Sequence, residues 1–163
     1  MAELTNLEAK IAEVIGLAQA AQGAAEKIEG LVDDGELKQT LQRMREEAAE
    51  TEERTISVAE GLDGKKTAIL EKARETKQEA TQMMQTYLGN DADELDGFEF
   101  LTMAEAGEVG HWEILAAMNE RAGIGELQEV IQWVTPIQQR HFQEAREGSL
   151  QIAAEEDPNA PSE

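Results

Sequence analysis

Residues Glu99 to Arg121 read EFLTMAEAGEVGHWEILAAMNER. Leu101, Glu105, Glu108, Trp112 and Leu115 recur at alternating steps of four and three, which traces one stripe of an α-helix. Glu105 and Glu108 are carboxylic acids on a stripe where a packed helix needs apolar side chains, so the pattern breaks in mid-helix. Gly107 and Gly110 flank Glu108, although each costs about 1 kcal/mol in a helix interior. This break marks the place to look for chemistry, and the rest of the chain can be arranged around it.

Following this helix, a second long stripe, Leu127, Ile131, Val134, Gln138, His141 and Ala145, predicts a helix from Gly125 to near Ala154. Pro136 either kinks it or stands first in a fresh segment capped by Thr135, with Gln138 closing the capping box. Toward the N-terminus, Leu7, Ile11, Val14, Ala18, Ala21, Ala25 and Ile28 predict a helix over Leu4–Ile28. Gly16 and Gly23 beside that stripe read as points of close helix contact. Asp33-Asp34-Gly35 makes a turn. Leu37, Leu41, Met44, Ala48, Thr51, Thr55, Val58 and Leu62 predict a second helix over Leu37–Leu62. A weaker third is expected over Lys65–Leu88, burying Ile69, Ala73, Ala80, Met83, Met84 and Tyr87, before a loop over Gly89–Gly97. The Met pair reads as gap-filling core and both tryptophans, Trp112 and Trp133, as core. The acidic run Glu46 to Glu53 reads as a solvated face. Residues 1–154 are thus expected to form one helical bundle and 155–163 a disordered acidic tail.

Composition agrees with an all-α fold. Aromatic residues are only 4% of the chain, and two of the three prolines lie at Pro158 and Pro161, so long stretches run without a breaker. Fourteen Lys and Arg against 35 Asp and Glu leave a formal charge of −21, which argues against nucleic acid and against an anionic membrane surface as partners. The acid excess fits either a high-salt host or simple solubility. No cysteine is present, which excludes disulfides, thiolate catalysis and Cys-ligated metal. Met1 to Lys10 is acidic and lacks a signal-peptide pattern, so the expected address is the cytoplasm.

The turns set the stacking. Helices 1 and 2 form one antiparallel hairpin and helices 4 and 5 another. Helix 3, at ~1.5 Å per residue, is about 36 Å long and can carry the chain back from the end of helix 2 to the start of helix 4. Reflection through each turn brings Ala18, Glu47, Ala48, Glu108, His111, Gln138 and His141 to one level at mid-bundle. Both histidines of the chain fall within about a turn of it.

With Gly35-Glu36-Leu37-Lys38-Gln39-Thr40-Leu41, Arg45-Glu46-Glu47 and Val109-Gly110-His111-Trp112-Glu113-Ile114 in these positions, the chain resembles the ferritin-like superfamily. More narrowly, it is similar to the Yci-type bacterial ferritin-like stress proteins, which carry an additional crossover helix. The resemblance spans about residues 15–150. It implies an antiparallel four-helix bundle with a crossover helix, a homodimer, and a di-metal centre built from one carboxylate on each of two helices and Glu-x-x-His on the other two. Oxygen and imidazole ligands suit iron or manganese.

The residues depart from that pattern. Helix 1 has Ala18 and Gln19 where a carboxylate belongs, helix 2 has Ala in the histidine position after Glu46-Glu47, and helix 5 has Gln138-x-x-His141. Only helix 4 keeps Glu108-x-x-His111. The expected site is therefore degenerate, with Glu108, His111, His141, Gln138 and Glu47 as its candidate ligands and room for one metal at most. For Glu108 and His111 a buried hydrogen-bonded pair without metal is the preferred reading, and Glu105 reads either as a supporting partner of the site or, in preference, as an edge residue. Three functions follow: a stress-associated ferritin-like protein whose Glu/His site holds metal weakly or not at all; a di-iron or di-manganese oxidoreductase; or a structural module that contacts partners through the Gly/Ala face of helix 1.

Overall fold

The computed structural model describes residues 2–162; Met1 and Glu163, the outer ends of the expected bundle and tail, lie outside them. The described residues form five helices and no strand: α1 Asn6–Glu29, α2 Gly35–Glu60, α3 Lys66–Tyr87, α4 Glu94–Ala122 and α5 Gly125–Ala153. Among them no helix is long and apolar enough to cross a membrane. Residues 155–162 follow α5 as exposed turns.

Local chemistry explains the helix ends. Thr5 caps α1 in a reciprocal box with Glu8: the hydroxyl accepts from the Glu8 amide at 3.2 Å and the Glu8 carboxylate accepts from the Thr5 amide at 2.8 Å. Asp34 caps α2 by accepting from the amides of Glu36 and Leu37, both at 2.9 Å. Asp93 and Asp96 form a second capping box, which starts α4 five residues before the expected Glu99 and absorbs the last four residues of the predicted loop. Gly97, which reads as a loop glycine, lies inside this helix. A Cβ there would stand 3.1 Å from Ile28 Cγ2, so the glycine lets α4 approach the end of α1. The α4–α5 turn is closed by Gly123 in the left-handed region (φ 68°) and by Asn119, which accepts from the Ile124 amide and donates to its carbonyl, both at 3.1 Å.

Helix α5 runs unbroken past Pro136, and of the two readings of that residue the fresh capped segment is not formed. The Thr135 hydroxyl donates to Ile131 O at 2.7 Å, a bond back to the preceding turn of the same helix.

The packing follows the hairpins: α1 lies mainly against α2 and α3, and α4 against α5. Narrower contacts join α1 to α4 and α2 to α5. The apolar core is divided in two. One part gathers Ile11, Ile15, Val58, Ile69, Leu115 and Val134; the other gathers Ile28, Leu41, Met44, Phe98, Leu101 and Ile152. Between them lies a waist of small and polar buried residues, with Ala18, Ala48 and Thr51 beside Glu105, Glu108, Gln138 and His141. Trp112 is core, whereas Trp133 is half-buried beneath the Arg54 guanidinium, 4.1 Å above its ring.

Helix α3 departs most from its predicted packing. Its first half seals onto α1 at Gly16, where a Cβ would strike Ala73 O and come within 2.7 Å of Thr76 Cβ. Gly23, a heptad away, faces open space, so close contact is made at only one of the two glycines. Toward the end of α3, Ala80 and Met84 are half-buried, but Met83 and Tyr87 are 54% and 59% exposed rather than buried. That half touches α4 little, and a groove opens between α1, α3 and α4.

Candidate functional site

The polar waist is built from three helices. Glu47 projects from α2, Glu105 and Glu108 from α4, and Gln138 and His141 from α5. His141 stands at the centre: Nε2 lies 3.3 Å from Glu47 Oε1 and Nδ1 lies 3.7 Å from Glu105 Oε2. The Gln138 amide donates to the same Glu105 oxygen. Glu47 also receives the Arg140 guanidinium on Oε2, and Arg43 Nε lies 3.5 Å from its Oε1. Arg43 then reaches Glu144 at 2.5 Å, so the waist ends at the surface in a two-arginine, two-carboxylate network.

Electrostatics separate the acids. Burial alone would raise the Glu47 carboxyl, but hydrogen bonds from Arg140 and His141 outweigh it and hold its pKa below the usual range. Burial would likewise lower the His141 imidazole, and Glu105 and then Glu47 reverse this and raise it, favouring the imidazolium. Glu108 has no such cation. Burial, reinforced by the neighbouring Glu105 carboxylate, pushes it well above the ordinary carboxyl range, against a smaller opposing effect of the Gln138 amide. Glu108 is thus held toward its neutral, protonated form.

Four of the five residues singled out from the sequence meet here: Glu47, Glu108, Gln138 and His141. His111 does not join them. Its Nδ1 lies 3.3 Å from Glu13 Oε2 on α1, without hydrogen-bond geometry, at the rim of the groove. Glu105, read as an edge residue, is instead 3% exposed and links Gln138, His141 and Glu108. Its place on the same stripe as Glu108 was the available signal. The acidic run of α2 is mostly a solvated face as read, apart from Glu47 and Glu52, which accepts from Gln19 at 3.0 Å and Gln22 at 2.6 Å.

The donor set does not suit a di-metal centre. Among the described residues no group of three or more His, Cys, Asp or Glu is arranged to hold a metal ion. Glu47 already faces two guanidinium groups, so its charge is balanced without a metal. Both His141 nitrogens face carboxylates.

Glu105 and Glu108 also line the groove, which encloses ≈ 440 Å³. Its walls are largely small and apolar, including Leu17, Ala21, Ala80, Met84 and Ala104, with Gly107 contributing no side chain. Such a volume lies in the range of small-molecule sites. Comparison of the chain with protein-family models, with curated proteins and with solved structures gives no match.

Proposed function

We propose that this protein is a metal-independent bundle of ferritin-like design that binds a small, largely apolar molecule between α1, α3 and α4. In this reading α1, α2, α4 and α5 are the four-helix bundle and α3 is the crossover helix, in keeping with the two hairpins and with the narrower α1–α4 and α2–α5 contacts. The observation that carries the reading is the ≈ 440 Å³ groove floored by two buried carboxyls. Apolar walls with a few convergent polar groups are the usual make-up of a ligand site. The strongly raised pKa of Glu108 adds weight, because such groups gather at functional sites. The polar waist orients that floor: Gln138 and His141 hold Glu105, and Glu47 with its arginines holds His141. Binding, not turnover, is the role assigned.

The test is titration with the neutral apolar dye N-phenyl-1-naphthylamine, followed by fluorescence. Saturable binding at one site per chain is expected. Gly107→Leu should weaken it by about tenfold or more, since its side chain enters the groove and a Cβ there meets no heavy atom within 4 Å. Absence of dye binding, or equal binding by the Gly107→Leu protein, would remove the reading. So would a dimer that buries Met83 and Met103 and excludes the dye, because the groove would then be a subunit interface.

A further inference from the structure

The outward face of α4 has an unusual composition for a surface. Met103, Gly107, Gly110, Ile114 and Ala117 recur there at alternating steps of four and three, which places them on one helix face, with Ala106 beside them. All are exposed or half-buried, and Met103 and Ile114 are 43% and 46% exposed. Between Met103 and Ala117 the only charge at the edge of this face is Glu113, in a chain of which 30% is charged. The outward face of α5, by contrast, carries Glu126, Glu129, Arg140, Arg146 and Glu147.

The glycines give a second, independent sign. A glycine inside a helix is unfavourable unless a neighbour needs the space. Gly16, Gly97 and Gly148 have such neighbours within the chain, since a Cβ at each would stand 3.1 Å or less from another helix. Gly107 and Gly110 have none within 4 Å. Gly23 is open as well, but the exposed charges of Glu26 and Lys27 follow it, and no apolar stripe surrounds it. Small and apolar groups left uncovered along one helix face permit the close approach of a second helix.

The order of the residues identifies that helix. If a second α4 lies antiparallel across a two-fold axis at Gly110, residues equidistant from Gly110 on its two sides meet at one height. Met103 then faces the partner's Ala117, and Ala106 faces the partner's Ile114, so each large side chain stands opposite a small one. Glu99 and Arg121 are equidistant too, so opposite charges meet at both ends of the stripe. Both are exposed, and neither has an ion-pair partner among the described residues. A two-fold contact requires this self-complementarity. We propose that the outward face of α4 binds a second copy of the chain, α4 antiparallel to α4, closed at each end by a Glu99–Arg121 ion pair between copies. Two chains of charge −21 repel each other, and this face lets them meet where charge is nearly absent.

The size of the contact sets its strength. From Glu99 to Arg121 the stripe is about 33 Å long and about 10 Å wide, so both copies together bury about 650 Å². That is less than a permanent dimer needs, and a dissociation constant on the order of 100 μM is expected. The chain is then a monomer at a few micromolar. The inference goes beyond the groove reading and does not rest on it: Ala106, Gly110, Ile114 and Ala117 do not line the groove.

Sedimentation equilibrium of the full chain from about 5 μM to about 1 mM tests this. A monomer–dimer equilibrium is expected. Ile114→Lys, at an exposed position, should keep the helical circular dichroism and weaken the dimer by about a hundredfold. Glu99→Arg and Arg121→Glu should each weaken it by about tenfold, and the double exchange, which leaves the net charge unchanged, should restore it. A chain that stays monomeric to about 1 mM, or a dimer that Ile114→Lys leaves intact, overturns the proposal. A dimer broken by Ile114→Lys but not restored by the double exchange overturns the antiparallel arrangement.

Discussion

His141 Nε2 lies 3.3 Å from Glu47 Oε1 across the α2–α5 contact, with Glu105 on the other side of the ring. The histidine pKa is raised and the Glu47 pKa is lowered in the folded chain, so each is stabilised in its charged form. A raised histidine contributes stability that is complete below its unfolded pKa of about 6.5 and is lost as pH rises through the folded value. A depressed carboxyl contributes stability that is complete above about 4.3 and is lost as pH falls through its folded value. The two contributions overlap between those limits.

His141→Ala should therefore destabilise the chain by about 1–3 kcal/mol near pH 5.5, with the difference from the parent narrowing above pH 8. Thermal unfolding followed by circular dichroism across that range is the measurement. A constant difference would show that His141 acts only by filling space.

Glu108 carries the opposite sign. A buried carboxyl with a raised pKa leaves stability intact below the unfolded value and removes it as pH rises through the folded one. Glu108→Gln keeps the shape and removes the ionisation, so the variant should be more stable than the parent at pH 8 and equal to it near pH 4. Urea unfolding at the two pH values checks this. A variant less stable at pH 8 would mean that the Glu108 carboxylate is needed in the fold.

The glycines give a pair of opposed outcomes. Gly16→Ala drives a methyl group into the α3 backbone at Ala73 and should cost about 1–3 kcal/mol. Gly110→Ala adds a methyl group in open space within a helix and should stabilise by about 0.5–1 kcal/mol. Denaturant midpoints for both variants decide whether α1 and α3 are as close as described.

Chelation separates the metal readings. Because Arg43 and Arg140 already balance Glu47, removal of metal with EDTA should leave the unfolding temperature and dye binding unchanged. Loss of several degrees after dialysis, restored by iron or manganese, would bring the di-metal oxidoreductase back.

Much of the candidate site could be read along the chain, because hairpin reflection sets the height of a residue in a bundle. Glu47, Glu108, Gln138 and His141 share a level for that reason. Height does not set direction. At 3.6 residues per turn, His111 lies about 120° around α4 from Glu105, so the two cannot face the same partners. His111 meets Glu13 on α1, while Glu105 meets Gln138 and His141 on α5. The Arg43–Glu47–Arg140 network was hidden for another cause: long side chains reach beyond their own level, and charged residues on α2 read first as a solvated face.

The alternating four-three stripes and the Thr5, Asp34 and Asp93 caps are local, since a helix is made by hydrogen bonds within a few residues; sequence alone therefore determined the five helices. The break in the α4 stripe likewise announced a polar waist. Only tertiary structure decided that α3 seals at Gly16 and stands away from α4 near Met83, and hence that a groove exists above Glu105 and Glu108. The difference is physical: a groove is the space between helices, set by their mutual distance and rotation, and no single helix encodes its distance from another.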